Sequence, residues 1–288
     1  QINLDDIQNL LLSDLEILSE EENNIVFKRI KNLKNNKHVI VDIENYSQLK
    51  KFSLLIKKLT KQKKFLFRTA ASFISSISSN KKNHQDARFF FNLRVKNKEK
   101  SFLPGLVIVG SFVELSTMQL KNLLNISTCE PIELDVFEFF RISSSENNQN
   151  QKNSFKNKIL REIRFSFQKG KTPVLFTSRK FMSQDYSQQF NLYNSLALFI
   201  AALVADLKYE IGYLVSKGGI TTNVILSNGF NADYVYLEGQ ILTGISVVTY
   251  NLKNDEKLPI VTHPGNIGTK DSLVNIWKVL ENKNNFVN

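Results

Sequence analysis

Short apolar runs alternate along this chain with longer stretches whose apolar positions recur at helical spacing. Val39-Ile40-Val41-Asp42, Phe65 to Arg68, Leu106 to Val109, Pro173 to Phe176, Tyr213 to Val215, Tyr234 to Leu237, Ser246 to Tyr250 and Pro259 to Val261 read as strands. Between them, Leu49, Phe52, Leu54, Leu55 and Leu59 fall on one helical face, and Ala70 to Ile77, Ile159 to Phe167, Tyr186 to Leu207 and Asp271 to Leu280 have the same period. Ser116 to Leu124 reads as a helix capped by Ser116 or Thr117, and Leu4 to Leu10 as the start of an amphipathic one. Leu192 to Val204 is nearly apolar all round, which places it in the middle of a core. Strands alternating with helices predict an α/β fold of two domains, with parallel or mixed sheets flanked by helices.

The alternation is interrupted twice. Asn80 to Ser101 is polar and charged around Phe89-Phe90-Phe91, and reads as a crossing between a first domain, residues 1–105 with its linker, and a second, residues 106–288. Ser143 to Asn157 is rich in Ser, Asn and Gln and reads as an inserted loop.

Composition narrows the class. The net charge of +11 invites a nucleic-acid reading, but the lysines are scattered among asparagines from end to end, as on a solvated surface. No nucleic-acid partner is therefore expected. The only cysteine, Cys129, excludes an internal disulfide and fits a reducing compartment. The longest apolar run, Leu196 to Ala205, is too short for a bilayer, which takes roughly 20 residues. With no basic-then-apolar leader at Gln1, the expectation is a cytoplasmic protein without a membrane partner.

The candidate chemistry lies in two strand-to-helix turns, Val215-Ser216-Lys217-Gly218-Gly219-Ile220-Thr221-Thr222 and Thr262-His263-Pro264-Gly265-Asn266-Ile267-Gly268. Glycines let a backbone approach an anion, and the first N–H groups of a helix are unsatisfied and point outward. Lys217 can add charge, and Thr221 or Thr222 can cap the helix or bond a phosphate oxygen. Spacing alone leaves phosphate binding and an ordinary α/β turn both open. Arg68 and Thr69 follow a strand where open sheets place ligands; the guanidinium can hold a carboxylate or an ion pair within the fold. Gly170-Lys171-Thr172 leads into a strand, whereas a phosphate loop leaves one, so it is set aside. The three histidines, His38, His84 and His263, are far apart and show no metal-ligand spacing; His263 could touch a phosphate but reads first as a solvent-facing turn residue, and Trp277 as packing.

Lys217 to Thr222 resembles the Lys-Gly-Gly-Ile-Thr-Ser motif of the four-carbon acid sugar kinases, and Pro264 to Gly268 their Pro-Gly-Asn-Val-Gly turn. Leu237 to Ile245 is similar to their Gly-Gln-Ile-Leu-Pro-Gly-Val segment, with Thr243 at the usual proline. Phe65 to Phe73, Val109 to Val113 and Phe176 to Arg179 follow in family order, so the likeness covers most of the chain. The resemblance implies an ATP- and Mg2+-dependent kinase that phosphorylates a hydroxyl of a small sugar acid of the erythronate, threonate or oxo-tetronate class. It implies ATP contacts at Ser111, Gly218, Gly219, Ile220, Thr221, Gly265 and Asn266, and sugar-acid contacts at Arg68 and Thr69. It names no catalytic base and no protein ligand for a metal, and it leaves a homo-oligomer open. The family's opening Asp-Asp-x-Thr-Gly segment has no counterpart, Asp5-Asp6 lacking the Thr-Gly, which points to a chain without the front of its first domain. The rival expectation is a catalytically dead remnant that still binds nucleotide or sugar acid. On the kinase reading, Gly219→Val abolishes nucleotide binding.

Overall fold

The computed structural model describes residues 7–10, 25–34, 37–78, 85–143, 149–178, 186–252 and 256–283. The chain forms two compact units, residues 1–82 and 83–288. The break falls inside the polar crossing of residues 80–101, and Phe90 of α4 below is buried in the second unit.

In the first unit, β1 (Ile7–Leu10) pairs in parallel with β2 (His38–Val41). Helices α1 (Ile25–Lys31), α2 (Tyr46–Leu59) and α3 (Ala71–Ile77) complete it. Asn45 caps α2 by accepting the Gln48 N–H at 3.0 Å. Leu49, Phe52, Leu55, Ile56 and Leu59 of α2 pack against Val26, Phe27, Ile30 and Phe73, while Leu54 stays on the outer face. Two expectations fail here. Ile7–Leu10 is a strand rather than a helix start, because pairing with β2 overrides local pattern. Phe65 to Arg68 is not a strand: among the described residues no segment offers it a ladder, Leu66 is fully exposed, and Phe67 turns its ring onto Phe73 at 5.2 Å.

The second unit begins with α4 (Ala87–Asn92), capped by Asp86. There follow β3 (Gly105–Val109), α5 (Glu114–Leu124), β4 (Cys129–Leu134), α6 (Val136–Ser143), α7 (Gln149–Gln168), β5 (Thr172–Thr177) and α8 (Tyr186–Leu207). Then come β6 (Tyr213–Lys217), α9 (Gly219–Val224), a π-helical turn (Ile225–Gly229), β7 (Tyr236–Leu242), β8 (Ile245–Asn251), β9 (Lys257–His263) and α10 (Ser272–Leu280). The polar insertion is partly helical: α7 reaches back to Gln149 because Phe155, Ile159, Leu160 and Ile163 form one buried stripe that its Asn and Lys residues flank.

The seven strands stand in the order β4-β5-β3-β6-β9-β8-β7. β4, β5, β3, β6 and β9 are mutually parallel, and β8 and β7 extend the sheet antiparallel. Helices cover both faces, which is why the inner parallel strands β3, β5 and β6 are buried almost throughout, while the edge strand β4 alternates. Leu106, Ile108, Leu214 and Ile260 point to the α6–α9 face, and Val107, Val109, Val215 and Val261 to the α4, α5 and α10 face. Trp277 of α10 is packed, its indole N–H donating to Thr172 Oγ1 at 3.0 Å.

This order creates a switch point. β3 and β6 are neighbours, yet α5 leaves β3 for one face and α9 leaves β6 for the other. The two connections diverge and leave a crevice at the carboxyl edge between the strands, the position where open α/β sheets bind ligands. Among the described residues no helix is long and apolar enough to cross a membrane.

Candidate functional site

Three turns converge on that crevice: Gly110-Ser111 after β3, Gly218-Gly219 after β6 and Pro264-Gly265 after β9. Backbone bonds join their bases, Gly110 N–H to the Lys217 carbonyl at 3.0 Å and Gly218 N–H to the His263 carbonyl at 2.9 Å. The approach is close enough that a side chain on any of the three glycines would displace a neighbour. A Cβ on Gly110 would stand 2.1 Å from Thr221 Oγ1, one on Gly218 3.2 Å from the Ser111 nitrogen, and one on Gly265 2.7 Å from Ser111 Oγ. Gly218 also sits at φ +122°, which L side chains rarely adopt.

Helix α5 holds the β9 turn with a row of polar side chains at spacing i, i+3, i+6. Ser116 Oγ lies 2.8 Å from the Gly265 carbonyl and 3.0 Å from Ser111 Oγ. Ser116 is placed as donor in both contacts and has one proton, which the shorter one gives to the Gly265 carbonyl. Gln119 donates to the carbonyls of Ile267 at 3.2 Å and Thr269 at 2.7 Å, and Asn122 to Lys270 at 3.2 Å and Asp271 at 2.8 Å. Neither Ser116 nor Thr117 caps α5, whose N-terminus begins after Val113 with no side-chain cap.

Lys217 and His263 lie side by side in the β6–β9 register and are both buried. The Lys217 ammonium donates to the carbonyls of Pro264 at 2.9 Å and Gly265 at 3.1 Å, and lies 3.3 Å from His263 Nδ1. His263 Nδ1 is 2.8 Å from the Pro264 carbonyl, and this shorter contact places the ring proton on Nδ1. Nε2 is then a buried lone pair without a hydrogen-bond partner. Burial pulls the Lys217 ammonium down to about 8; burial, then the Lys217 charge, pulls His263 down to about 4. The solvent-facing reading of His263 is thus corrected: β9 runs on through His263, so its side chain points into the protein.

Of the residues the sequence singled out, Ser111, Gly218, Thr221 and Gly265 are brought together within these contacts. Gly219 and Ile220 open α9 with their surfaces exposed, and Asn266 is exposed beside Gly265. Thr222 turns away from the crevice, its hydroxyl 2.8 Å from Ser216 Oγ. Lys217 serves carbonyl oxygens instead of solvent. The glycine that needs its missing side chain is Gly218, since a Cβ on Gly219 meets nothing within 4 Å. Arg68 and Thr69 belong to the first unit, on the exposed coil before α3, where they line a cavity of about 1040 Å3 with Phe52, Phe67 and Phe73. Gln119 and Asn122 went unnoticed in the sequence, and Ser116 was read there only as a helix cap; the mark of all three is a polar stripe on a helix whose Leu120 and Leu123 are buried. Among the described residues no three His, Cys, Asp or Glu side chains are grouped to hold a metal ion.

Residues 106–273 match the family described as nucleotide-binding C-terminal domain. No curated protein sequence is significantly similar to the chain. The fold is similar to that of a Salmonella typhimurium LT2 protein provisionally named a tRNA synthase, with a TM-score of 0.59 at 11% identity over 93% of this chain and 58% of that one. It is also similar to a domain of unknown function (DUF1537) from Bordetella bronchiseptica, a domain-swapped dimer with bound citrate, with a TM-score of 0.50 at 13% identity over 95% of this chain and 58% of that one. The chain thus spans well under two thirds of either structure's length. At these identities the likeness shows the fold.

Proposed function

The chain belongs to the nucleotide-binding C-terminal domain family, and on that premise we propose that it is an ATP-dependent kinase that phosphorylates a hydroxyl of a four-carbon sugar acid. The observation that carries this reading is the meeting of the Ser111, Gly218 and Gly265 turns at the β3/β6 switch point, where glycines let the turns approach closely around the Ser111 and Thr221 hydroxyls. A polyphosphate fits such a cradle: it is an acceptor throughout, and close-packed glycine turns present donors. Ser111, Gly218 to Thr221, Gly265 and Asn266 would hold the nucleotide. When bound, Mg-ATP supplies the phosphoryl group together with the metal charge that neutralises it. Phosphoryl transfer is largely positioning, so the reading does not depend on a strong base near the crevice.

Residues 106–288 carry the nucleotide in this reading, and residues 1–105 the acid. Arg68 and Thr69 are the proposed acid contacts, Arg68 through paired hydrogen bonds to a carboxylate. The citrate of the Bordetella protein is also a carboxylic acid, and its domain-swapped dimer is a precedent for a homo-oligomer here.

Thermal unfolding with and without Mg-ATP tests the first half. Ligand at about 100 times its Kd adds about 2.7 kcal/mol, a rise in Tm of roughly 5 to 10 °C for a chain of this size. A cooperative transition that ATP does not move rejects the nucleotide site. Phosphate transfer to erythronate, threonate or their oxo relatives, assayed on the same protein, tests the second half. ATP binding without transfer to any of them leaves the non-catalytic binding protein as the reading.

A further inference from the structure

Lys217 is fully buried and donates to two consecutive carbonyls of the β9 turn, those of Pro264 and Gly265. Peptide bonds are planar and, among the described residues, all trans, so each C=O points opposite to the N–H of the next residue. A carbonyl drawn toward Lys217 Nζ therefore turns the following N–H away from it. Drawing in the Pro264 and Gly265 carbonyls aims the N–H groups of Gly265 and Asn266 outward together. Ser116 pulls the same Gly265 carbonyl from the α5 side at 2.8 Å, which fixes the second peptide from two directions.

We propose that Lys217 is a positioning residue of the nucleotide site, acting through the Pro264 and Gly265 carbonyls to hold the Gly265 and Asn266 N–H groups toward the bound phosphates. The inference rests on the nucleotide reading above and adds a control to it: the turn is set by the charge state of a side chain that solvent does not reach.

The surroundings of Lys217 keep that control simple. The side-chain contacts of Lys217 are with His263, the one titratable group among them, and with the Pro264 and Gly265 carbonyls, all of β9 and its turn. His263 is neutral above about pH 4 and contributes no countercharge. Among the described residues no carboxylate pairs with Lys217, and burial alone draws its ammonium down to about 8. As pH rises through 8 the charge is lost, the grip on both carbonyls weakens, and the attraction for an anion falls with it. A phosphate whose last pKa is about 6 is already mostly ionised at pH 7 and only gains negative charge as pH rises, so its own slope runs opposite to the loss expected from Lys217.

The test uses the full chain in two measurements. The first is the Kd for Mg-ATP by calorimetry from pH 7 to 9.5, in the wild type and in Lys217→Met. Wild-type affinity is expected to be about tenfold weaker at pH 9 than at pH 7, following a group that titrates near 8. Lys217→Met is expected to bind at least about tenfold more weakly at pH 7, with no further loss to pH 9, since one charge-assisted bond is worth about that factor. The second measurement follows the carbonyl-carbon NMR resonances of Pro264 and Gly265 in the ligand-free wild type, expected to shift with a midpoint near pH 8. This signature does not depend on nucleotide and does not need the variant to fold. Carbonyl resonances that stay flat through pH 8, or a wild-type Kd that does not change to pH 9.5, overturn the inference. Resonances that titrate in a protein that binds no Mg-ATP at any pH overturn the nucleotide reading instead, and the inference falls with it.

Discussion

Ser116 and Gly265 are 149 residues apart in the chain, and the Ser116 hydroxyl donates to the Gly265 carbonyl at 2.8 Å. The bond ties the helix after β3 to the turn after β9, so two walls of the crevice are fixed to each other before any ligand arrives. Ser116→Ala removes it but leaves the same carbonyl bonded to Lys217 at 3.1 Å. The expected cost to folding is therefore small, about 1 kcal/mol, because no buried acceptor is orphaned. Nucleotide affinity should suffer more than stability. Urea unfolding and ATP calorimetry on the same variant separate the two, and a loss in stability alone would make Ser116 a packing residue.

Gly218 and Gly219 are adjacent but should behave oppositely. Gly218 sits at φ +122° with the Ser111 nitrogen 3.2 Å from where its Cβ would be. Gly218→Ala should cost about 1–3 kcal/mol of stability and damage the cradle. Gly219 begins α9 with open space around it. Gly219→Ala should be neutral or stabilise by about 0.4–1 kcal/mol, with nucleotide binding retained. The sequence pointed to Gly219→Val as the decisive lesion, and the backbone moves that role to Gly218. Equal damage from the two alanine variants would contradict this assignment.

The contrast shows where the sequence was legible. The inner parallel strands of the second unit could be read because they are buried on both faces, as in Leu106 to Val109 and Tyr213 to Val215, whereas the edge strand Cys129–Leu134, with Glu130 and Glu133 outward, was missed. The turns could be read because glycine and proline mark them. Phe65 to Arg68 has strand composition but lacks a ladder, and Ile7–Leu10 acquires one from a partner far along the chain; neither pairing is a local property. The roles within the site were hidden for the same reason. A lysine before two glycines reads as a free charge, and only the β6–β9 register sets Lys217 beneath Pro264 and Gly265. His263 follows a strand and precedes a proline, which resembles an exposed turn until burial on every side is seen.

His263 should dominate the difference in acid stability between the wild type and His263→Phe. Its folded-state value lies near 4 against 6.5 unperturbed, lowered by burial and by Lys217. The unfolded chain therefore takes up the proton first, and the stability contributed by neutral His263 is present above about pH 6.5 and lost as pH falls toward 4. From a shift of that size the wild type should lose about 3 kcal/mol between pH 7 and pH 4 that the variant does not. Urea unfolding of both proteins across this range gives the difference curve. Parallel curves would mean that His263 is solvated or paired in solution.

Arg94 organises the opposite, amino-terminal edge of the same strands. Its guanidinium donates to the carbonyls of Leu280 at 3.0 Å and Leu103 at 2.8 Å, pairs with Glu281 at 3.1 Å and lies 5.1 Å from the centres of the Tyr213 and Phe102 rings. Glu281 in turn accepts from the Tyr213 hydroxyl at 2.8 Å, whose titration burial and then Glu281 push far upward. Arg94→Met removes the cation and leaves Glu281 as an unpaired, mostly buried carboxylate, an expected loss of about 3 kcal/mol or more. Adding Glu281→Gln removes that charge while keeping an acceptor for Tyr213, so the double variant should be more stable than Arg94→Met alone. Nucleotide affinity of the folded fraction should be unchanged in both, because the cluster sits at the end of β3 and β6 away from the Gly110 and Gly218 turns. If the second substitution simply adds to the first, the residual charge is not the source of the damage, and the cation's contacts with the two carbonyls and the aromatic rings are.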